Sequence, residues 1–233
     1  MGTNWDDLQR TAVGLQGVVW FWKGVGMETW VMMTTAKAFV FVAMILVSMI
    51  SDVVPDAPRG VVLEYTSDGQ MKFPEHYREW VYLTSGFDMS YNPGGASDHH
   101  MFDNVFVNPE AYKAFVETGT WPDKTVMVLE VREAQGKGSI NQRGNFQSGV
   151  MGVEVHVRDA ARFAGKWGFF GFDDGKKTSE VIPQTASCYA CHTAHAAVDT
   201  TFVQFYPTLL PIAKGKRTLS EAYLKEAEAK GTE

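Results

Sequence analysis

The sequence predicts an α+β domain: an antiparallel β-sheet of about five strands with short helices at intervals, carrying one c-type haem. Three observations predict it. Runs rich in aromatic and β-branched residues recur between positions 80 and 172, in meander order, with turn residues between them. One segment, 109–119 (PEAYKAFVETG), has Pro at its start, Glu110 in its first turn and Gly119 at its end, as a helix requires. Near the C-terminus stands C-Y-A-C-H, a c-type haem attachment signature.

The elements follow in order. Residues 55–60 read as a linker, and Gly69 and Pro74 punctuate the entry to the domain. Segment 74–80 (PEHYREW) has Pro and acids where a short helix would start. Segment 80–87 (WVYLTSGF) reads as a strand, 92–95 (NPGG) as a loop, and 104–108 (NVFVN) as a short strand. Segments 125–132 (TVMVLEVR) and 150–158 (VMGVEVHVR) are the clearest strands, joined by a Gly/Ser/Asn-rich loop over 135–149. In the second, Met151, Val153, Val155 and Val157 share one face. Gly152, Glu154, His156 and Arg158 share the other, which reads as the polar, solvent-facing one. Residues 159–164 offer one helical turn, 167–172 (WGFFGF) another strand, and 173–175 (DDG) a turn. Segment 198–213 reads as an apolar helix cut by Pro207 and Pro211.

Cys188, Cys191 and His192 are the chemically decisive residues, and they use every cysteine of the chain. In haem c each thiol adds across a vinyl group and the adjacent histidine binds the iron from one face. The competing readings are weaker on context. A thioredoxin-like pair wants a strand before it and a βαβ setting, which the flanks lack. A structural zinc site wants four ligands, and the chain has no second cysteine pair. Zinc and a disulfide stay open as alternatives.

Composition bounds the rest. Of 233 residues, 45% are hydrophobic and 13% aromatic, which is enough to wrap a haem. A net charge of −6 without a dense Lys/Arg run argues against nucleic acid. The apolar run 38–50 (AFVFVAMILVSMI), with Lys37 before it, fits the core of a signal peptide. It is short against the ~20 residues of a membrane span, but an uncleaved anchor remains the alternative. Residues 1–58 are therefore read as leader and linker, 59–213 as the haem domain, and 214–233 as a charged tail, amphipathic or frayed, with a solvated helix as the plainer reading. Export to the periplasm agrees with haem c, which is attached outside the cytoplasm.

Several segments together resemble one family. These are F-P-x-x-Y-R-E-W at 73–80, N-P-E-A-Y at 108–112, T-G-T-W-P-D-K-T at 118–125, and C-Y-A-C-H followed ten residues on by F-V-Q-F-Y-P-T-L at 202–209. They stand in the order seen in the cytochrome P-460 family, which includes the cytochromes c′-beta, and span about 70–213. The resemblance implies a β-rich homodimer with one haem c, His192 as the proximal iron ligand and an open distal side. One branch oxidises hydroxylamine and carries a lysine cross-linked to its haem. The other lacks the cross-link and binds nitric oxide and carbon monoxide.

The cross-linking lysine aligns with Leu129, which has no amine. Lys124 alternates to the opposite side of the strand and Lys137 lies in the following loop. On Leu129's face stand Thr125, Met127 and Val131, so the expected distal wall is apolar and suits neutral diatomics. The first functional expectation is therefore a gas-binding protein. The second is a hydroxylamine-oxidising enzyme, which needs a base; Glu180 is the one carboxylate in 176–187 and the nominee. The third is a six-coordinate electron carrier with an electron-transfer partner. Phe87 and Phe102 are expected distal caps. His99, His100, Met89 and Met101 are weighed as sixth ligands against exposure or packing. His156 reads as exposed, and His195, three after His192, as orienting the haem propionates or as having no role. Phe202, Phe205 and Tyr206 are expected to hold His192 from the proximal side.

Overall fold

A computed structural model describes residues 60–90 and 99–231. The leader, the run 38–50 and the loop 92–95 lie outside the described residues. Among those residues no helix is long and apolar enough to cross a membrane.

Chain order begins with β1 (Met71–Lys72), a 3-10 turn (Tyr77–Glu79), β2 (Val81–Phe87), β3 (Met101–Val107) and α1 (Pro109–Thr118). It continues with β4 (Val126–Gln135), β5 (Phe146–Arg158), β6 (Trp167–Gly171), a 3-10 turn (Asp173–Gly175) and β7 (Thr178–Ser179). Last come α2 (Ser187–His195), a 3-10 turn (Val203–Phe205), α3 (Leu210–Lys216) and α4 (Glu221–Lys230). The main sheet has five strands in the order β2-β3-β4-β5-β6, every pair antiparallel. β1 and β7 form a separate two-stranded ribbon. The α+β prediction is thus met.

The central strand explains the layering. β4 alternates Val126, Val128 and Glu130 to one face with Met127, Leu129 and Val131 to the other. Both faces are covered, so the strand reads as a nearly continuous apolar run. On the first face Val126, Val128, Val153, Val155 and Val157 pack with Tyr77, Phe163 and Phe170. On the second, Leu83, Val107, Met127 and Phe169 pack with Phe115 of α1, Trp121, Leu209 and Ala213. α1 buries Ala111 and Phe115, one turn apart on one stripe. Gly119 ends it at φ 76°, donating its N–H to the Phe115 carbonyl at 2.7 Å.

Residues 159–164 do make the single turn expected, closed by the Asp159 carbonyl accepting from the N–H groups of Arg162 and Phe163. Three expectations need correction. The 135–149 loop is shorter than expected and covers 136–145, because β4 runs to Gln135 and β5 starts at Phe146. Segment 198–209 is not an α-helix: Val198 and Thr201 form a bridge, a 3-10 turn follows, and α3 begins only at Leu210. The charged tail is helical, as read, but the helix is not a wholly solvated one. Ser220 caps α4 by accepting from Tyr223 at 3.1 Å and donates to the Ala196 carbonyl at 2.7 Å. α4 buries Ala227, packs Tyr223 on the core, and brings Glu226 within 2.7 Å of His195.

Candidate functional site

The haem-motif segment is helical, and this explains its spacing. Cys188, Cys191 and His192 fall at i, i+3 and i+4 of α2, so they share one face. That face lines a cavity of about 500 Å³ between α2 and the second face of the sheet. The two thiols are not joined to each other.

His192 is positioned by the chain that follows it. Its Nδ1–H donates to the Thr200 carbonyl at 2.7 Å, which leaves Nε2 as the nitrogen with a free lone pair. Asp199 turns the backbone to deliver that carbonyl, at φ 56°, a conformation a non-glycine residue adopts rarely. Its carboxylate is anchored by Trp167 Nε1 at 3.0 Å and Arg158 Nε at 3.2 Å. The imidazole lies among rings: Phe202 at 4.3 Å, Phe169 at 4.8 Å and His156 at 4.9 Å between centroids. Burial pushes His192 below its ordinary pKa, with the Thr200 bond acting the other way, so a neutral imidazole faces the cavity.

His156 is a correction. It does not face solvent from a polar edge. It stacks on Phe169 at 4.0 Å, which in turn stacks on Tyr189 of α2 at 4.2 Å. Burial, and then the neighbouring His192, push its pKa down to about 3. Its face of β5 is the cavity wall, and Glu154 stands on the same wall two residues away. Alternation identified the face correctly; which face meets solvent depends on α2, which no local pattern reveals.

The wall is ordered by cross-strand register. Met127 pairs with His156, and His156 with Phe169, in the row beneath His192. Next come Val105, Leu129 and Glu154, and then Asp103, Val131 and Gly152. Leu129 therefore lies in the middle of the wall. Lys124 does not reach it and pairs with Asp159 at 2.5 Å. The wall is not uniformly apolar, because Asp103 and Glu154 both face the cavity. Burial raises both pKa values; Asp88 adds to the effect on Asp103, and Asp173 and Asp103 to that on Glu154.

Other expectations also move. Phe87 and Phe102 are not cavity residues. They alternate to the far side of the wall and pack on each other at 4.9 Å, with His100 stacked on Phe87. Glu180 is exposed in the loop after β7, outside the cavity. His99 and His100 lie outside it too, and His100 Nδ1 is 2.5 Å from Asp88. Met89 and Met101 do line it, as do Phe202, Phe205 and Tyr206. Among the described residues no group of three or more His, Cys, Asp and Glu side chains is arranged to hold a metal ion.

These residues fit a haem on the chemistry of the donors: two thiols and one free imidazole nitrogen converge on a largely apolar cavity. The model of the family described as Cytochrome P460 matches residues 74–203, more than half of the chain. No curated protein matches it.

Proposed function

The chain belongs to the cytochrome P460 family, a family of haem proteins; on that premise we propose a periplasmic haem c protein that binds a small neutral ligand, nitric oxide or carbon monoxide, on the open side of the haem. In this reading Cys188 and Cys191 hold the haem covalently, His192 is its proximal ligand, and two copies pair as a homodimer. The observation that carries it is the place of Leu129, in mid-wall between Val105 and Glu154. A leucine has no amine, so it would not form the lysine cross-link of the hydroxylamine-oxidising branch.

When bound, the haem supplies an iron coordination position for a diatomic ligand. The chain's own residues do the rest. Thr200 fixes the His192 ring and keeps its proton on Nδ1. Phe169 and Phe202 restrict the ring's rotation. Val105, Leu129 and Val131 exclude water from the wall and offer no hydrogen bond to a polar guest.

Hydroxylamine oxidation is the second reading, and Glu154 favours it. Its carboxyl is in the cavity with a raised pKa, as a proton acceptor for that reaction requires. Glu180 has no such position.

The test is the visible spectrum of the purified protein, oxidised, reduced, and reduced under carbon monoxide. The expected result is an ordinary high-spin haem c that takes up carbon monoxide. A strongly red-shifted reduced Soret band would mean a modified macrocycle, and hydroxylamine turnover with an added electron acceptor would then come first.

A further inference from the structure

The cavity has an uneven charge. Its lining contains the carboxyls of Asp103 and Glu154 but no lysine or arginine. A third carboxylate sits at its edge: Asp173 Oδ1 would lie 3.1 Å from a Cβ added to Gly152, the residue across β4 from Asp103. The nearest arginine on the central strand, Arg132, alternates to the other face and is bonded to Glu130. Asp88, beside Asp103, already pairs with His100. Among the described residues, then, no basic side chain is positioned to neutralise Asp103.

We propose that Asp103 determines which ligands enter this cavity, admitting neutral and cationic nitrogen ligands and turning anions away. The inference rests on the reading of the cavity as a haem pocket with an open side. The leucine and valine wall gives a low local dielectric, in which a carboxylate acts on an incoming charge far more strongly than in water. Glu154 adds to the same potential from the next row. An apolar wall alone disfavours every polar guest alike. A carboxylate separates them by sign, so azide and nitrite are rejected while nitric oxide and hydroxylamine are not.

The experiment compares wild type, Asp103→Asn and Asp103→Glu by two spectral titrations, azide on the oxidised protein and carbon monoxide on the reduced protein. Asparagine preserves shape and removes the charge; glutamate keeps the charge. Azide is expected to bind ~10-fold tighter to Asp103→Asn and as weakly as wild type to Asp103→Glu. Carbon monoxide affinity should agree within about two-fold across all three, since a neutral ligand does not feel the charge. Unchanged azide binding in Asp103→Asn, with normal carbon monoxide binding, overturns the role of Asp103 and leaves the haem-pocket reading intact. Equal changes for both ligands also overturn it, because that marks altered access. A wild type that takes up no carbon monoxide overturns both.

Discussion

His192 Nδ1 lies 2.7 Å from the carbonyl oxygen of Thr200, eight residues along the chain. The bond ties the last turn of α2 to the bridge between Val198 and Thr201. Asp199, inside that bridge, adopts a positive φ held by Trp167 and Arg158. Orientation of the imidazole is thus decided by β5 and β6, through one carboxylate.

Asp199→Ala tests that linkage. It removes two hydrogen bonds, one to a charged donor, and leaves an alanine at a strained φ. The expected cost is about 2 kcal/mol in urea denaturation. The reduction potential should shift as well, since a looser Thr200 carbonyl polarises His192 less. A destabilised variant with an unaltered potential would show that Asp199 serves the fold alone.

Leu129→Lys places an amine in mid-wall. Glu154, its cross-strand neighbour, would hold the new side chain as an ammonium, so a cross-link should form better at raised pH. The expected outcome is a haem spectrum permanently shifted after peroxide treatment. Absence of any shift between neutral and alkaline pH would remove Leu129 as the explanation of an unmodified haem.

Glu130 is 2% exposed on the opposite face of the sheet. It accepts from Tyr77, Arg78 and Arg132, and Asn104 lies near. Burial disfavours its charge, but the bonds from Arg132, Tyr77 and Arg78 outweigh burial and hold its pKa below the ordinary value. A depressed carboxyl stabilises the fold above its unfolded pKa, about 4.3, and that stability is lost as pH falls through the folded value. Glu130→Ala should cost about 3 kcal/mol at pH 7, with the difference from wild type shrinking as the solution is acidified below pH ~4. Denaturation midpoints that stay parallel across that range would contradict the assignment.

Glu154 carries the opposite sign. Its pKa is raised by burial, then by Asp173 and Asp103. Its contribution is full below the unfolded pKa and lost as pH rises through the folded one. Glu154→Gln should therefore raise the thermal midpoint at pH 7, with no gain below pH ~4. A variant less stable than wild type at pH 7 would mean that the carboxylate has a stabilising partner.

Much of what is local was legible, though the helix read over 198–213 is absent before Leu210. The motif C-Y-A-C-H stood out at 188–192, although the helix that puts Cys188, Cys191 and His192 on one face was not read, and the helix over 109–118 showed in its Pro, Glu and Gly. Alternation over 125–132 and 150–158 gave the strands and the two faces of each, because side-chain direction in a strand follows from backbone geometry alone.

What that alternation could not say is which face is covered. His156 and Glu154 read as solvent-facing because polar residues on a strand normally are. Both line the cavity, Glu154 while still exposed, because α2, about thirty residues further on, packs across that side of the sheet. Phe87 and Phe102 read as pocket residues because they are aromatic, yet pleating turns them away. The lysine- and glutamate-rich segment 221–230 read as a solvated helix, yet Ser220 and Glu226 tie it to the end of α2 and Tyr223 packs on the core. By itself, then, the sequence determined the strands, the attachment motif and the family; tertiary structure alone decided which carboxylates and which second imidazole share the cavity with His192. The physical reason is that backbone preference is set by adjacent residues, whereas burial and charge environment are set by whatever segment packs on top.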